Sequence, residues 1–196
     1  MTSELLDDLN RIKSGLERLS RTVLLNALAP GRPAEYTRND LALAGLASNC
    51  EIECLYQWHD GTAFTDEHTL GQIWMFPIFY FMTFSDSLEY YNELQPAEWW
   101  QDTWWPIFTD GCGDLIITDL AKDGSGKVYH LHKDFAQVVL EYSSLGRFFH
   151  TIAAAFQQNI FYTRGTGRIE EVPRAFDSLA AQLNPEIAWW NDPEFA

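Results

Sequence analysis

The sequence predicts a mixed fold of helices and strands, and three observations carry that prediction. Leu5, Leu9, Ile12, Leu16, Leu19 and Val23 recur at alternating spacings of four and three, the pattern of one apolar helix face. The stretch WWPIFTDGCGDLIITDL over residues 104–120 is aromatic and β-branched, breaks for an acid and glycine cluster, and then resumes, as two strands around a turn would. A second turn signal, Asp123, Gly124, Ser125 and Gly126, precedes another strand over residues 127–132. A chain of 196 residues, 46% of them hydrophobic, is long enough to bury one core, so a single domain over 1–196 is expected.

Taken in order, the N-terminal helix is expected to end at Pro30, Gly31 and Pro33. Its stripe is expected to pack on the chain's own core, a coiled-coil partner being the alternative. Residues 40–47 read as a short helix. Ser48 with Glu51 three residues on fits a capping box for the next helix, which turns Ile52, Leu55 and Tyr56 inward and ends near Trp58, His59, Asp60 and Gly61. Residues 72–84, QIWMFPIFYFMTF, read as a strand in which Pro77 marks a bulge or an edge. Residues 85–94 return to helical spacing, with Asp86 and Glu89 offering a cap and Leu88, Tyr91 and Leu94 facing in. A Trp-rich connection follows Pro96. Residues 135–140 have strand propensity, and Ser143 and Ser144 cap a long helix carrying Leu145, Phe148, Phe149, Ile152 and Phe156. A shorter helix around residues 175–183 and a loose end with Trp189 and Trp190 close the chain.

The formal net charge is −15, and its placement matters more than its size. Residues 39–121 hold fourteen acids, from Asp40 to Asp119, and no lysine or arginine; the remainder is nearly neutral. Such a segment either serves solubility or attracts a cationic partner. Nucleic acid is disfavoured on both readings, because a phosphate backbone requires a basic patch. The cysteines, Cys50, Cys54 and Cys112, are odd in number without disulfide-like spacing, which points to reduced thiols and a cytoplasmic protein. Glu4, Asp7 and Asp8 stand where a secretory signal would be basic and then apolar, and the most apolar stretch, residues 73–84, is short of the roughly 18 residues of a spanning helix.

Each candidate for chemistry has a plainer competitor. Asp110, Asp114 and Asp119 lack the spacing of a calcium loop, and the cluster lacks the lysine of a phosphate cradle, so Asp110, Gly111, Gly113 and Asp114 read as a structural turn. Cys50 and Cys54, one helical turn apart, read as buried apolar thiols, since two ligands do not close a zinc site. His130 and His132 share one face of a strand, but no third ligand is indicated beyond the adjacent Asp134, so a polar sheet face is expected and no retained metal. His59 with Asp60, and His150, lie near no recognisable nucleophile. Most tryptophans should fill the core, with the exposed ones within residues 99–105.

The order of motifs is then informative: a helix ending in Trp58, His59, Asp60 and Gly61; Phe76 and Pro77; Trp105, Pro106, Ile107 and Phe108; Gly113 and Asp114; Gly126, Lys127, Val128 and Tyr129; Ser144 and Leu145 before a long helix. In this order the sequence resembles the SUKH superfamily, the fold shared by fungal cell-wall assembly regulators and many bacterial immunity proteins. The resemblance covers about residues 40–162, leaving 1–32 as an N-terminal helical extension and 163–196 as a C-terminal helix and tail. Leu46, Ala47 and Ser48 stand where the family commonly has Leu-Pro.

The resemblance implies an α+β fold with a mostly antiparallel sheet flanked by helices, no catalytic residues, no cofactor, and function through a protein partner. For bacterial members that partner is often a secreted toxin, frequently a nuclease. The expected function is therefore an immunity protein that neutralises a basic toxin domain. A regulatory scaffold for a cell-envelope or signalling partner is the alternative, and an enzyme using His130 and His132 with a metal is a third reading. The residues expected to bind the partner are Asp60, Asp66, Glu67, Glu98, Trp99, Asp102 and Trp104, placed in loops beside exposed aromatic rings.

Overall fold

The computed structural model describes residues 2–65, 67–123, 126–133, 137–165 and 167–192. Asp66, the turn residues Gly124 and Ser125, Asp134 and the start of the expected strand at 135 lie outside them.

The N-terminal stripe forms helix α1 (Thr2–Arg18), and Leu5, Leu9, Ile12 and Leu16 are buried on it. The stripe continues in sequence, but the helix does not. Ser20 takes a left-handed conformation at φ 55°, and the Arg21 and Ser20 amides close back on the Leu16 and Glu17 carbonyls, a Schellman stop. A separate helix α2 (Thr22–Ala27) leads into the short strand β1 (Leu28–Pro30). Arg21, buried, satisfies the carbonyls of Gly71, Gln72 and Trp74, and burial lowers its pKa to about 10.

Helix α3 spans Ala34–Leu43, earlier than expected, because Pro33 opens this helix instead of only closing the previous segment. Helix α4 (Cys50–Trp58) is capped by Asn49, whose side chain accepts the Glu51 and Ile52 amides; Ser48 instead donates to Glu53. Cys50 is exposed and Cys54 half-buried, so the expected buried thiol pair is not formed. Strand β2 (His59–Thr62) pairs antiparallel with β1.

Residues 72–84 are not one strand. They comprise the end of the one-turn helix α5 (Leu70–Ile73), a tight turn closed by a Phe76 and Phe79 bridge with Ile78 at φ 66°, and the two-residue strand β3 (Tyr80–Phe81). An unbroken apolar run carries no period-two signal, and Pro77 removes an amide that a ladder would need. Thr83, not Asp86, caps helix α6 (Phe84–Leu94).

Strands β4 (Trp104–Thr109), β5 (Leu115–Asp119), β6 (Val128–His132) and β7 (Gln137–Tyr142) complete a five-stranded antiparallel meander in the order β3-β4-β5-β6-β7. Helix α7 (Leu145–Gln157), capped by Ser144, sets Phe148 and Phe149 against Phe108 of β4. A hairpin of β8 (Phe161–Thr163) and β9 (Ile169–Glu171), helix α8 (Ala175–Leu183) and a 3-10 turn (Trp189–Asn191) follow. The fold is thus α+β, antiparallel sheets flanked by helices with a helix at the N-terminus. Helix α1 packs on α7 and α4, so its stripe joins the same buried cluster as the sheet. No helix among the described residues is long and apolar enough to cross a membrane.

Candidate protein-binding surface

Strand alternation sends consecutive side chains of β4 to opposite faces. Trp105, with no exposed surface, donates its indole N–H to Tyr56 Oη at 3.2 Å, and Tyr56 is in turn bonded to Ser87. Trp104 points the other way. Helix α6 runs beside β4, so Phe84 and Tyr91 reach Trp105 while Tyr90 and Leu94 line the opposite face.

On that opposite face lies a groove of about 890 Å³, bounded by Tyr90, Leu94 and Trp99 on one side and by Trp104, Leu115 and Val138 on the sheet side. Trp99 is 49% exposed at its rim. Trp104, expected to be exposed, is 9% exposed, because its ring is held between Trp100 and Tyr129 at centroid distances of 5.5 and 5.4 Å. Its remaining surface forms part of the groove floor.

The turn from β4 to β5 forms one end of the groove through Gly111, Cys112 and Gly113. One oxygen of Asp110 accepts the amides of Cys112, Gly113 and Asp114 at 2.7 to 2.9 Å. Gly111 and Gly113 have φ of 80° and 121°, where a Cβ is penalised. Lys133 donates its ammonium to the Cys112 carbonyl and its backbone amide to Asp114.

The acids of residues 39–121 divide into two sets. Many have local partners: Asp40 pairs with Arg32 and Glu53 with Arg38, Glu51 accepts the Gly146 amide at the start of α7, and Asp119 accepts the Ala121 amide. Asp60 belongs here too. It lies in β2, not in a loop, and its carboxylate caps α6 through the Phe84 amide at 3.0 Å. Burial raises the Glu51 pKa.

The second set forms no ion pair among the described residues: Glu67, then Asp86, Glu89 and Glu93 on α6, and Glu98 and Asp102 in the connection after it. The Tyr91 hydroxyl donates to the Asp102 carbonyl and ties that connection to α6. The expected binding residues therefore separate. Glu98, Trp99, Asp102 and Trp104 gather at the C-terminal end of α6, whereas Asp60 sits at its N-terminal end, about 16 Å away along an 11-residue helix. Glu67 is exposed in the segment after β2, and Asp66 lies outside the described residues. Sequence reasoning missed Glu93, which lines the groove, and Glu89 one turn before it on α6.

A second cluster lies around β6. The imidazole rings of His130 and His132 are 3.6 Å apart between centroids, and Asp114, immediately before β5, places Oδ2 3.7 Å from His130 Nε2. On the other side of the ring, His130 Nδ1 is 3.1 Å from Glu141 Oε1 of β7. Burial, and next the neighbouring His130, lowers the pKa of His132.

No curated protein matches the chain. Residues 50–151, just over half of it and spanning α4 through most of α7, match the SMI1 / KNR4 family (SUKH-1). That family includes immunity proteins, is generally non-catalytic, and typically binds protein partners. The chain belongs to the SMI1 / KNR4 family (SUKH-1).

Proposed function

We propose that this chain is an immunity protein, without catalytic activity of its own, that blocks a basic toxin domain by docking it in the groove between α6 and the sheet. One observation carries the reading: Glu93 of α6, which forms no ion pair among the described residues, lines the same apolar groove as the half-exposed Trp99, with the other unpaired acids of α6 and its following connection near it in the chain and Lys133, bonded to the Cys112 carbonyl, at the turn end. Trp99 and the floor at Trp104 and Leu115 supply an anchor, and the acids supply a charged rim, the arrangement in which a few central aromatic contacts dominate affinity. A nuclease toxin must bind a polyanion and is therefore basic, so an acidic rim speeds encounter and disfavours wrong partners.

The test is rescue in the cell. The neighbouring genes are sequenced, a toxin domain found there is expressed with the chain, and survival is measured for wild type, Trp99→Ala, and a variant with Glu89, Glu93, Glu98 and Asp102 changed to amides. Survival with wild type and its loss with Trp99→Ala is the expected result. Rescue unaffected by either variant removes the groove from the account. A neighbouring gene that encodes an envelope or signalling protein bound constitutively favours the regulatory scaffold instead.

A further inference from the structure

We propose that Asp114, His130 and His132 form a binding site for one zinc ion. The three side chains each offer a ligand atom, and these atoms lie within 4.8 Å of one another. Bonds of about 2.0–2.1 Å to a tetrahedral ion set ligand atoms about 3.3 Å apart, so small side-chain rotations close the site. Two imidazoles and one carboxylate form a donor set that suits zinc and excludes calcium and magnesium, which take oxygen ligands.

Two further observations point to a ligand. Among the described residues, His130 and His132 each bury Nε2 without a hydrogen-bond partner, although the great majority of buried polar groups have one. His130 itself is 9% exposed, and at 3.7 Å its Nε2 is too far from Asp114 for a hydrogen bond. In addition, the Glu141 carboxylate, also buried, stands 3.1 Å from His130 Nδ1. A carboxylate on the distal nitrogen fixes the tautomer and leaves Nε2 as the metal ligand, an arrangement common around zinc-bound histidines. Three protein ligands leave the fourth position of the ion to water.

The site is assembled by strand register. His130 pairs with Ile116 and Leu131 with Leu115, which brings Asp114, one residue before Leu115, opposite His132. The ion would tie the β4–β5 turn to β6 where the Lys133 amide already meets Asp114.

The experiment uses the full chain stripped with a chelator. Zinc binding is followed by calorimetry, and cobalt, as a spectroscopic stand-in, by its visible absorption. The expected result is one saturable equivalent, a cobalt spectrum without a thiolate charge-transfer band, and a raised melting temperature. Glu141→Gln is expected to weaken binding by about 10–100-fold. His132→Ala and Asp114→Asn are expected to weaken it further, and His150→Ala to leave it unchanged. Should His132→Ala fail to fold, wild type and Glu141→Gln still decide. The proposal is overturned by no saturable binding to wild type, by binding indifferent to all three site variants, or by a thiolate band placing the ion on Cys50, Cys54 or Cys112.

Discussion

Trp104 and Trp105 are neighbours on β4 and have opposite settings. Trp105 is sealed between Phe84, Tyr91 and the Tyr56 hydroxyl, every part of it used by the core. Trp104 packs on Trp100 and Tyr129 and turns its last surface to a groove whose rim is the half-exposed Trp99. Residue type is thus uninformative on its own here. The face of the sheet decides whether an aromatic ring contributes to stability or remains available to a partner.

The largest effect expected from that contrast is on stability. Trp105→Ala should cost about 3–5 kcal/mol, through lost burial and the cavity left behind. Trp99→Ala should stay within about 0.5 kcal/mol of wild type, as exposed positions do. Urea unfolding of the two variants measures both, and equal losses would dissolve the distinction between the faces.

The turn at the end of the groove should come next. Gly111→Ala and Gly113→Ala should each cost about 1 kcal/mol or more, because both glycines hold positive φ. Asp110→Ala should cost about 1–3 kcal/mol, since it strands three amides that now share one oxygen. Melting temperatures unchanged in all three would mean that this end of the groove is not fixed by its turn.

The smallest expected effect lies at His59 of β2, where burial is the main cause of a lowered pKa while Nδ1 lies 2.9 Å from the Ala29 carbonyl. The unfolded chain then takes up the proton first, so stability is full above the ordinary histidine value near 6.5 and declines as pH falls through and below it. His59→Gln should flatten that decline relative to wild type in urea unfolding between about pH 7.5 and 5. Parallel curves for the two proteins would contradict it.

What was legible in the sequence follows from how local each signal is. The α1 stripe and the Ser144 cap of α7 are written in neighbouring residues, and the order of motifs sufficed for the family. Residues 72–84 are not legible in this way, because an unbroken apolar run fits several backbones equally well. Pro33 fits the stop of one helix and the start of the next equally well, and the structure uses it to open α3. The acidic segment was visible as a count, but which acids cap helices, such as Asp60, and which remain unpaired, such as Glu93, depends on contacts between distant segments. The same holds for the histidines: on β6 they lack a third ligand in sequence, and Asp114 reaches them only through the pairing of β5 with β6.

The central claim is that Glu93 in the groove and the unpaired acids near it in the chain steer a cationic partner to it. Stopped-flow association of the chain with the proposed toxin domain, at two salt concentrations, tests this most directly. Attraction at long range is screened over about 10 Å at 0.1 M salt. The wild-type association rate should therefore fall steeply with salt, and amides at Glu89, Glu93, Glu98 and Asp102 should slow association and flatten that dependence with dissociation little changed. An association rate indifferent both to salt and to the four amides would mean that the negative charge serves solubility and not recognition.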